Sequence, residues 1–281
     1  MKNEKPLILV TNDDGIASPG IHAAARALAP LGEVVLVAPR EQNSSTGRSH
    51  PLTTDGLIEE VECCLDVGSF KAYAVGGTPA QCVLNALFKI LPRKPDLTIS
   101  GINYGENFGT GITISGTVGA ALEAASFRIP TIAASLQLQN IDDFDKHDPD
   151  IDFSVAAYFT HKFAKMLLET TLPAGVDLLK LEVPIRATED TPWRMTRLSR
   201  HMYYVPYFDS NISWQEKGRI GFKVNVTKED VTPDSDIYAV VYDHEVSVTP
   251  LTIDMTAPID IQGWEHQLRQ NGYSNYASWQ H

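Results

Sequence analysis

Short apolar runs alternate with longer segments of helical periodicity through the first two thirds of the chain. Several of these runs are apolar at consecutive positions, which is typical of strands buried on both faces of a parallel sheet. The predicted strands are LILV (7–10), VVLVA (34–38), AYAV (72–75), LTIS (97–100), TIAAS (131–135) and LLKLEV (178–183).

The segments between these strands repeat their apolar residues at intervals of three and four, which predicts amphipathic helices. Two helices are predicted to begin at Ser18 and Thr78, each a hydroxyl residue followed by proline, the usual cap and first position. A third begins near Ser115 and a fourth spans about 152–169. The alternation predicts an α/β fold with a doubly wound, mostly parallel sheet, whose ligands bind beyond the carboxyl ends of the strands.

The pattern changes after about residue 190. Three segments, WRMTRLS, GRIGFKVNV and DIYAVVYDHEVSVTPL, are rich in strand-forming residues with no helical pattern between them, and GWEHQLRQNGY predicts one last helix. We therefore predict a core at 1–190 and a β-rich extension at 191–281, consisting of an antiparallel hairpin, a return strand and a C-terminal helix. Because an uncovered hairpin favours pairing with another chain, this extension predicts at least a homodimer.

Charge and cysteine content exclude several classes of protein. The 281 residues carry 35 acidic and 23 basic side chains, a formal net charge of -12, which argues against binding to a nucleic-acid backbone. The three cysteines have no CxxC spacing, so neither a disulfide framework nor a thiolate metal site is predicted. The N-terminal apolar run ends in charge after four residues, too short for a signal sequence or a membrane span. We expect a soluble, cytoplasmic protein.

Two adjacent carboxylates, Asp13 and Asp14, follow the first predicted strand. On an extended strand they would point to opposite faces, so they can converge on one ligand only where the chain turns, which Gly15 permits. Their hard oxygens suit a divalent cation such as Mg²⁺, Mn²⁺ or Ca²⁺. The alternative from this motif alone is an Asx-turn in which Asp14 caps the following segment.

A glycine-rich stretch, SGINYGENFGTGITISGTVGAALEAA (100–125), follows the fourth predicted strand. Its glycines allow backbone N–H groups to approach a ligand, and it delivers Ser115 and Thr117 to a helix N-terminus that attracts anions. This pattern favours a phosphate site, although a glycine-rich turn needed only for close packing is the alternative. The loop APREQNSSTGRS (38–49) lies at the same predicted sheet edge and offers neutral oxygen ligands.

Together these segments resemble the SurE family of stationary-phase survival proteins with nucleotidase activity. The motifs TNDDGIASPGI, APREQNSSTG, GTPAQCV, SGINYGENFG and SGTVGAALEA occur in the order and spacing of that family, and VSVTPLTID resembles its C-terminal strand. The resemblance implies a Rossmann-like sheet with a β-hairpin extension used in homodimer or homotetramer formation. It implies a divalent-cation-dependent phosphomonoesterase acting on nucleoside 5'- and 3'-monophosphates.

Carried over position by position, the resemblance also implies a set of site residues and one Mg²⁺ or Mn²⁺ per subunit. The implied metal ligands are Asp13, Asp14, Ser44 and Asn103, with Ser45 as the nearest competitor of Ser44. The implied phosphate-binding residues are Asn107, Ser115, Gly116 and Thr117. Asp13 and Asp14 are also the implied catalytic residues. The chain departs from the family after Ser49, where His50 and Pro51 resemble an insertion.

Other protein classes with a similar strand end require different residues. A haloacid-dehalogenase-type phosphatase needs DxD, whereas this pair is adjacent, and a metal-dependent deacetylase on a similar sheet recruits histidines that are not found near Asp13. A nucleotide-binding module without turnover is a third alternative. Since no cysteine or histidine lies near the glycine-rich stretch in sequence, we favour direct attack by water over a covalent enzyme intermediate.

Overall fold

The structure is built around a central sheet of nine of the described strands. It is a computed structural model that describes residues 5–139, 150–208, 213, 215, 216, 218 and 220–272. The strands of this sheet are, in chain order, β1 (Leu7–Thr11), β2 (Glu33–Pro39), β3 (Ile58–Leu65), β4 (Gly68–Val75), β5 (Leu97–Tyr104), β6 (Thr131–Leu136), β7 (Leu178–Val183), β8 (Trp193–Met195) and, later in the chain, β11 (Val246–Leu251). Two further strands, β9 (Tyr204–Tyr207) and β10 (Gly221–Val224), form a separate antiparallel hairpin.

The strand order across the central sheet is β3-β4-β2-β1-β5-β6-β7-β11-β8. The six strands from β4 to β7 are parallel to one another, β3 is antiparallel to β4, and β11 is antiparallel to β7. This topology confirms the predicted α/β fold with a mostly parallel sheet and a separate antiparallel hairpin.

Four helices cover the two faces of the sheet, as the alternation of strands and helices predicts, and they are α1 (Pro19–Leu28), α2 (Pro79–Asn85), α3 (Gly116–Ser126) and α4 (Ser154–Glu169). A fifth helix, α5 (Ile261–Gly272), follows the last strand and is exposed at its described side chains. Helices α1 and α4 pack together, and α2 packs against α3. The predicted caps are confirmed, because Ser18 Oγ accepts from Gly20 N at 3.2 Å and Thr78 Oγ1 accepts from Gln81 N at 3.2 Å.

Three segments differ from the sequence prediction, and the first is β9, which lies outside the segments predicted as strands. Strand β3 was not predicted, because its side chains alternate between exposed and partly buried positions at the sheet edge and do not form an apolar run. The prediction that no helix lies between the strands of the extension was wrong: Tyr238–Tyr242 forms a single π-helical turn, with Asp243 N donating to Tyr238 O at 3.2 Å. Its Tyr and Val residues pack around Phe108, and this tertiary contact outweighs their preference for strands.

The C-terminal third contributes to the central sheet as well as to the hairpin. Strand β11 inserts between β7 and β8 and pairs with both. The predicted last helix is confirmed as α5, although Tyr273 of the predicted segment lies outside the described residues. Among the described helices, none combines the length and the apolar character that crossing a bilayer requires.

Candidate functional site

A cavity of about 710 Å³ opens beyond the carboxyl ends of β1 and β5. Six of the eight predicted site residues line it, and they are Asp13, Asp14, Ser44, Asn103, Asn107 and Ser115. They come from three parts of the chain, the turn after β1, the loop after β2 and the glycine-rich stretch from the end of β5 to α3, so the sheet topology assembles them at one edge, as expected for a doubly wound sheet. The other two, Gly116 and Thr117, lie directly behind Asp13.

The chain leaves β1 in a tight turn built by Asn12 and Gly15. The Asn12 side chain accepts from Gly15 N at 3.1 Å and donates to Gly15 O at 3.0 Å, and Gly15 has a φ of +97° that favours glycine. The local Asx-type turn therefore uses Asn12 and leaves Asp13 and Asp14 for other contacts. Both carboxylates are buried, with 5% and 3% of the residue exposed.

Asp13 lies against the first turn of α3. It accepts hydrogen bonds from the Thr117 hydroxyl and from the backbone N–H groups of Gly116 and Thr117. Burial raises its pKa above the usual value, and these hydrogen bonds offset part of that rise. Glycine is required at 116, because a Cβ there would lie 2.7 Å from Asp13 Oδ2.

Asp14 faces β5 and the loop after β2. It accepts from Tyr104 N at 3.2 Å and from Gln42 Nε2 at 3.4 Å. Burial and the neighbouring charge of Asp13 raise its pKa well above the usual value. In the part of the chain that the structure describes, neither aspartate forms an ion pair with Lys or Arg. The pair therefore concentrates negative charge that a bound cation would neutralise.

Asn103 supplies a neutral oxygen beside the two carboxylates. Its Nδ2 donates to Tyr104 O at 3.1 Å and to Gly105 O at 2.7 Å, which fixes the orientation of the amide. Its Oδ1 consequently lies 3.0 Å from Thr117 Oγ1, the same hydroxyl that contacts Asp13. One hydroxyl proton cannot serve both oxygens, so either Asp13 Oδ1 or Asn103 Oδ1 is left without the Thr117 proton.

This donor set fits a hard divalent cation, which prefers carboxylate and amide oxygens. Among the described residues, no three His, Cys, Asp or Glu side chains converge on a metal-sized site. A cation at this position would therefore be held by the two aspartates together with neutral oxygens.

The loop after β2 brings Ser44 and Ser45 to the rim of the cavity, where both are exposed. The loop is tied to the rest of the site at two backbone positions: Asn43 N donates to Asp13 O at 2.7 Å and Gly47 N donates to Ile114 O at 3.0 Å. Arg48 Nε also lies 2.6 Å from the carboxylate of Glu123, which is buried on α3. The residue that resembled an insertion, His50, contacts the same carboxylate at 3.3 Å.

Ser115 and Asn107 present polar groups to the same cavity. Ser115 caps α3 by accepting from Val118 N at 3.1 Å, which leaves its hydroxyl proton for another acceptor. Asn107 Nδ2 donates to Ser135 Oγ at 3.0 Å, which leaves the second N–H of its amide. These two donors border the cavity near the aspartates.

Another part of the cavity wall was not predicted from the sequence. It is formed by side chains from the glycine-rich stretch and the hairpin, and they include Glu106, Phe108, Tyr203, Tyr204, Tyr207 and Phe222. Burial raises the pKa of Glu106, whose carboxylate accepts from Leu138 N at 3.2 Å. Glu106 was visible as a carboxylate among the glycines of the glycine-rich stretch, and Phe108 lies two residues further on, whereas the tyrosines and Phe222 lie about a hundred positions away and carry no local signal.

Comparisons with known proteins agree with this geometry. Residues 8–205 match the family model described as Survival protein SurE. The chain is 43% identical over 265 residues to the 5'-nucleotidase SurE of Thermococcus gammatolerans, covering 93% of this chain and 95% of that protein. It is 42% identical over 261 residues to the 5'-nucleotidase SurE of Methanothrix thermoacetophila, covering 90% and 95%.

A solved structure gives the same result for the fold. The crystal structure of SurE protein from Aquifex aeolicus aligns with a TM-score of 0.75 and 31% identity, covering 93% of this chain and 99% of that chain. The family match, the overall alignment and the oxygen-rich edge of the sheet agree, and the chain belongs to the SurE family.

Proposed function

We propose that this chain is a divalent-cation-dependent phosphomonoesterase that hydrolyses nucleoside 5'- and 3'-monophosphates to nucleoside and phosphate. One observation carries the proposal: a single cavity is lined both by oxygen-bearing side chains, including Asp13 and Asp14, and by aromatic side chains. A phosphate fits the first set and a planar base fits the second. The relatives named 5'-nucleotidase SurE support the same assignment.

We assign one Mg²⁺ or Mn²⁺ per subunit to Asp13, Asp14, Ser44 and Asn103. When bound, such a cation lowers the pKa of water and neutralises charge on phosphate oxygens. One aspartate of the pair orients the attacking water or takes its proton, a role that suits a carboxylate held in place by backbone N–H groups.

The phosphate-side residues hold the charge that develops during hydrolysis. The hydroxyl of Ser115 and the remaining amide N–H of Asn107 donate to phosphate oxygens. Gly116 allows Asp13 to approach α3, and Thr117 fixes Asp13 through its hydroxyl, so both act on phosphate through the aspartate they contact.

The proposal is tested by phosphate release from adenosine 5'-monophosphate. Protein treated with excess chelator should be inactive, and Mg²⁺ or Mn²⁺ should restore turnover. Asp13→Asn and Asp14→Asn should each lose at least about 10²-fold in kcat, roughly 3 kcal/mol, because each keeps its shape but loses a charged ligand. Asp190→Asn, at an exposed position, is the matched control and should retain full activity.

The outcome separates the alternatives. Metal-dependent nucleotide binding without phosphate release would identify a binding module, and full turnover in excess chelator would remove the metal-dependent mechanism. Release of acetate from an N-acetylated sugar, with no phosphate release, would favour the deacetylase alternative.

We also propose that the C-terminal third forms the interface of a homodimer or homotetramer. Large apolar side chains of the hairpin and α5 are exposed in the single chain, and they include Tyr207, Phe208, Phe222, Trp264 and Leu268. Exposed apolar residues concentrated in one part of a chain are typical of an association surface.

A further inference from the structure

Three charged side chains are completely buried where β7 meets the C-terminal third. They are Lys180 and Glu182 on β7 and Asp236, which precedes the Tyr238–Tyr242 turn, and each has a fully buried side chain. Lys180 Nζ lies 3.2 Å from Glu182 Oε1 and 3.1 Å from Asp236 Oδ2. Burial lowers the pKa of Lys180, but the charges of the two carboxylates outweigh it, so the ammonium stays charged. A buried ion cluster is a poor way to stabilise a fold, because apolar side chains of similar volume serve as well or better.

The contacts of this cluster converge on a short piece of the glycine-rich stretch. Lys180 Nζ donates to Asn107 O at 2.8 Å, and Asn107 N donates to Glu182 Oε2 at 3.1 Å. Gly109 N donates to Asp236 Oδ2 at 3.0 Å. Both polar groups of the Asn107 backbone are therefore held by charged side chains, and charge-assisted hydrogen bonds are the stronger kind.

The backbone of Asn107 determines where its side-chain amide lies in the cavity. That amide is also fixed by Ser135, which lies beside Glu182 in the pairing of β6 with β7. We infer that Lys180, paired with Glu182 and Asp236, is a positioning residue for the phosphate side of the site and acts through Asn107. The inference rests on the proposed function, in which Asn107 donates to phosphate.

A double-mutant cycle tests this inference. Lys180→Met, Asn107→Ala and the double variant are compared with the wild type for hydrolysis of adenosine 5'-monophosphate at saturating Mn²⁺. We expect Lys180→Met to lower kcat/KM at least tenfold while the Mn²⁺ concentration for half-maximal activity changes less than twofold. In the Asn107→Ala background the same substitution should have almost no further effect on kcat/KM. A residue that serves only stability would give independent, multiplying losses.

A second variant guards against misfolding, because Lys180→Met leaves two buried carboxylates without a cation. Glu182→Gln keeps Lys180 paired with Asp236, yet its amide places an oxygen at only one of the two positions that accept from Lys180 and from Asn107 N, so one donor faces an NH₂ group and kcat/KM should fall severalfold. Thr160→Val is the stability control, since it removes a buried hydroxyl bonded to Ala156 O at 2.7 Å in α4 and should leave kcat/KM unchanged.

The outcomes distinguish the positioning role of Lys180 from the proposed contact of Asn107 with phosphate. Wild-type kcat/KM for both Lys180→Met and Glu182→Gln, or multiplying losses in the cycle, overturns the positioning role alone. Wild-type kcat/KM for Asn107→Ala overturns the assigned contact of Asn107 with phosphate, and the positioning role with it. Activity and metal dependence of the unmodified protein test the proposed function separately.

Discussion

Replacing Gly116 with alanine tests whether Asp13 has to lie against the start of α3. The added Cβ would lie 2.7 Å from both Cβ and Oδ2 of Asp13 and 3.0 Å from its Cγ. Because non-bonded carbon atoms prefer a separation of about 3.5 Å or more, Asp13 or the first turn of α3 has to move by about 1 Å.

The expected cost to stability is small and the expected cost to catalysis is large. Overpacking costs about 1–3 kcal/mol, and alanine recovers up to about 1 kcal/mol of helix propensity, so the net loss is about 2 kcal/mol or less. A catalytic group displaced by about 1 Å can lose about 10²-fold in rate. We therefore expect Gly116→Ala to fold, to lose about 10²-fold in kcat and to need more Mn²⁺ for half-maximal activity.

Gly111→Ala is the matched control from the same glycine-rich stretch, because nothing lies within 4 Å of a Cβ added there. Initial rates of phosphate release are measured across a Mn²⁺ titration for both variants, and thermal unfolding by circular dichroism confirms that each is folded. Equal kcat and equal Mn²⁺ requirement for the two variants would refute the placement of the metal site at Asp13.

Two further predictions concern the Ser44 loop and the interface. Arg48→Met should lower the free energy of unfolding by about 1–2 kcal/mol in urea, because Glu123 is buried and loses its partner at 2.6 Å, and it should raise the Mn²⁺ requirement. Arg26→Met, which breaks an exposed pair, should cost less than about 1 kcal/mol, and equal losses for the two variants would contradict this reasoning. Light scattering at micromolar concentration should give at least twice 30.9 kDa, and a monomer mass would remove the proposed interface.

The strands that the sequence could predict are those whose residues are all buried alike. Strands such as β1 and β5 are buried along their whole length, so apolar runs identify them directly. Edge strand β3 escaped prediction because one of its faces is exposed, and Tyr238–Tyr242 was mistaken for a strand because its conformation depends on packing around Phe108.

The same distinction applies to the candidate site. Asp13 and Asp14 follow a predicted strand, so the rule that parallel strands end at one edge placed them beside the loops after the other strands, whereas Asn103 was identified as a metal ligand only through the family resemblance. The tyrosines and Phe222 of the aromatic wall and Asp236 were not predicted, since their distance from the glycine-rich stretch along the chain gives no local pattern. The charges of Lys180 and Glu182 inside the run LLKLEV were the visible signal that this strand has polar partners.

The position of β11 has a consequence for how the protein is made. Strand β11 lies between β7 and β8 in the sheet, and it is the only described strand that pairs with β8. In the chain, however, some fifty residues separate β11 from β8. On the ribosome, β7 and β8 therefore emerge before the strand that joins them, and the sheet closes at this side only after residue 251 has been synthesised. Long-range pairing of this kind slows folding and leaves an open strand edge exposed meanwhile. A nascent chain paused before this point would present that edge to other chains, which makes late synthesis the stage at which this protein is most prone to aggregate.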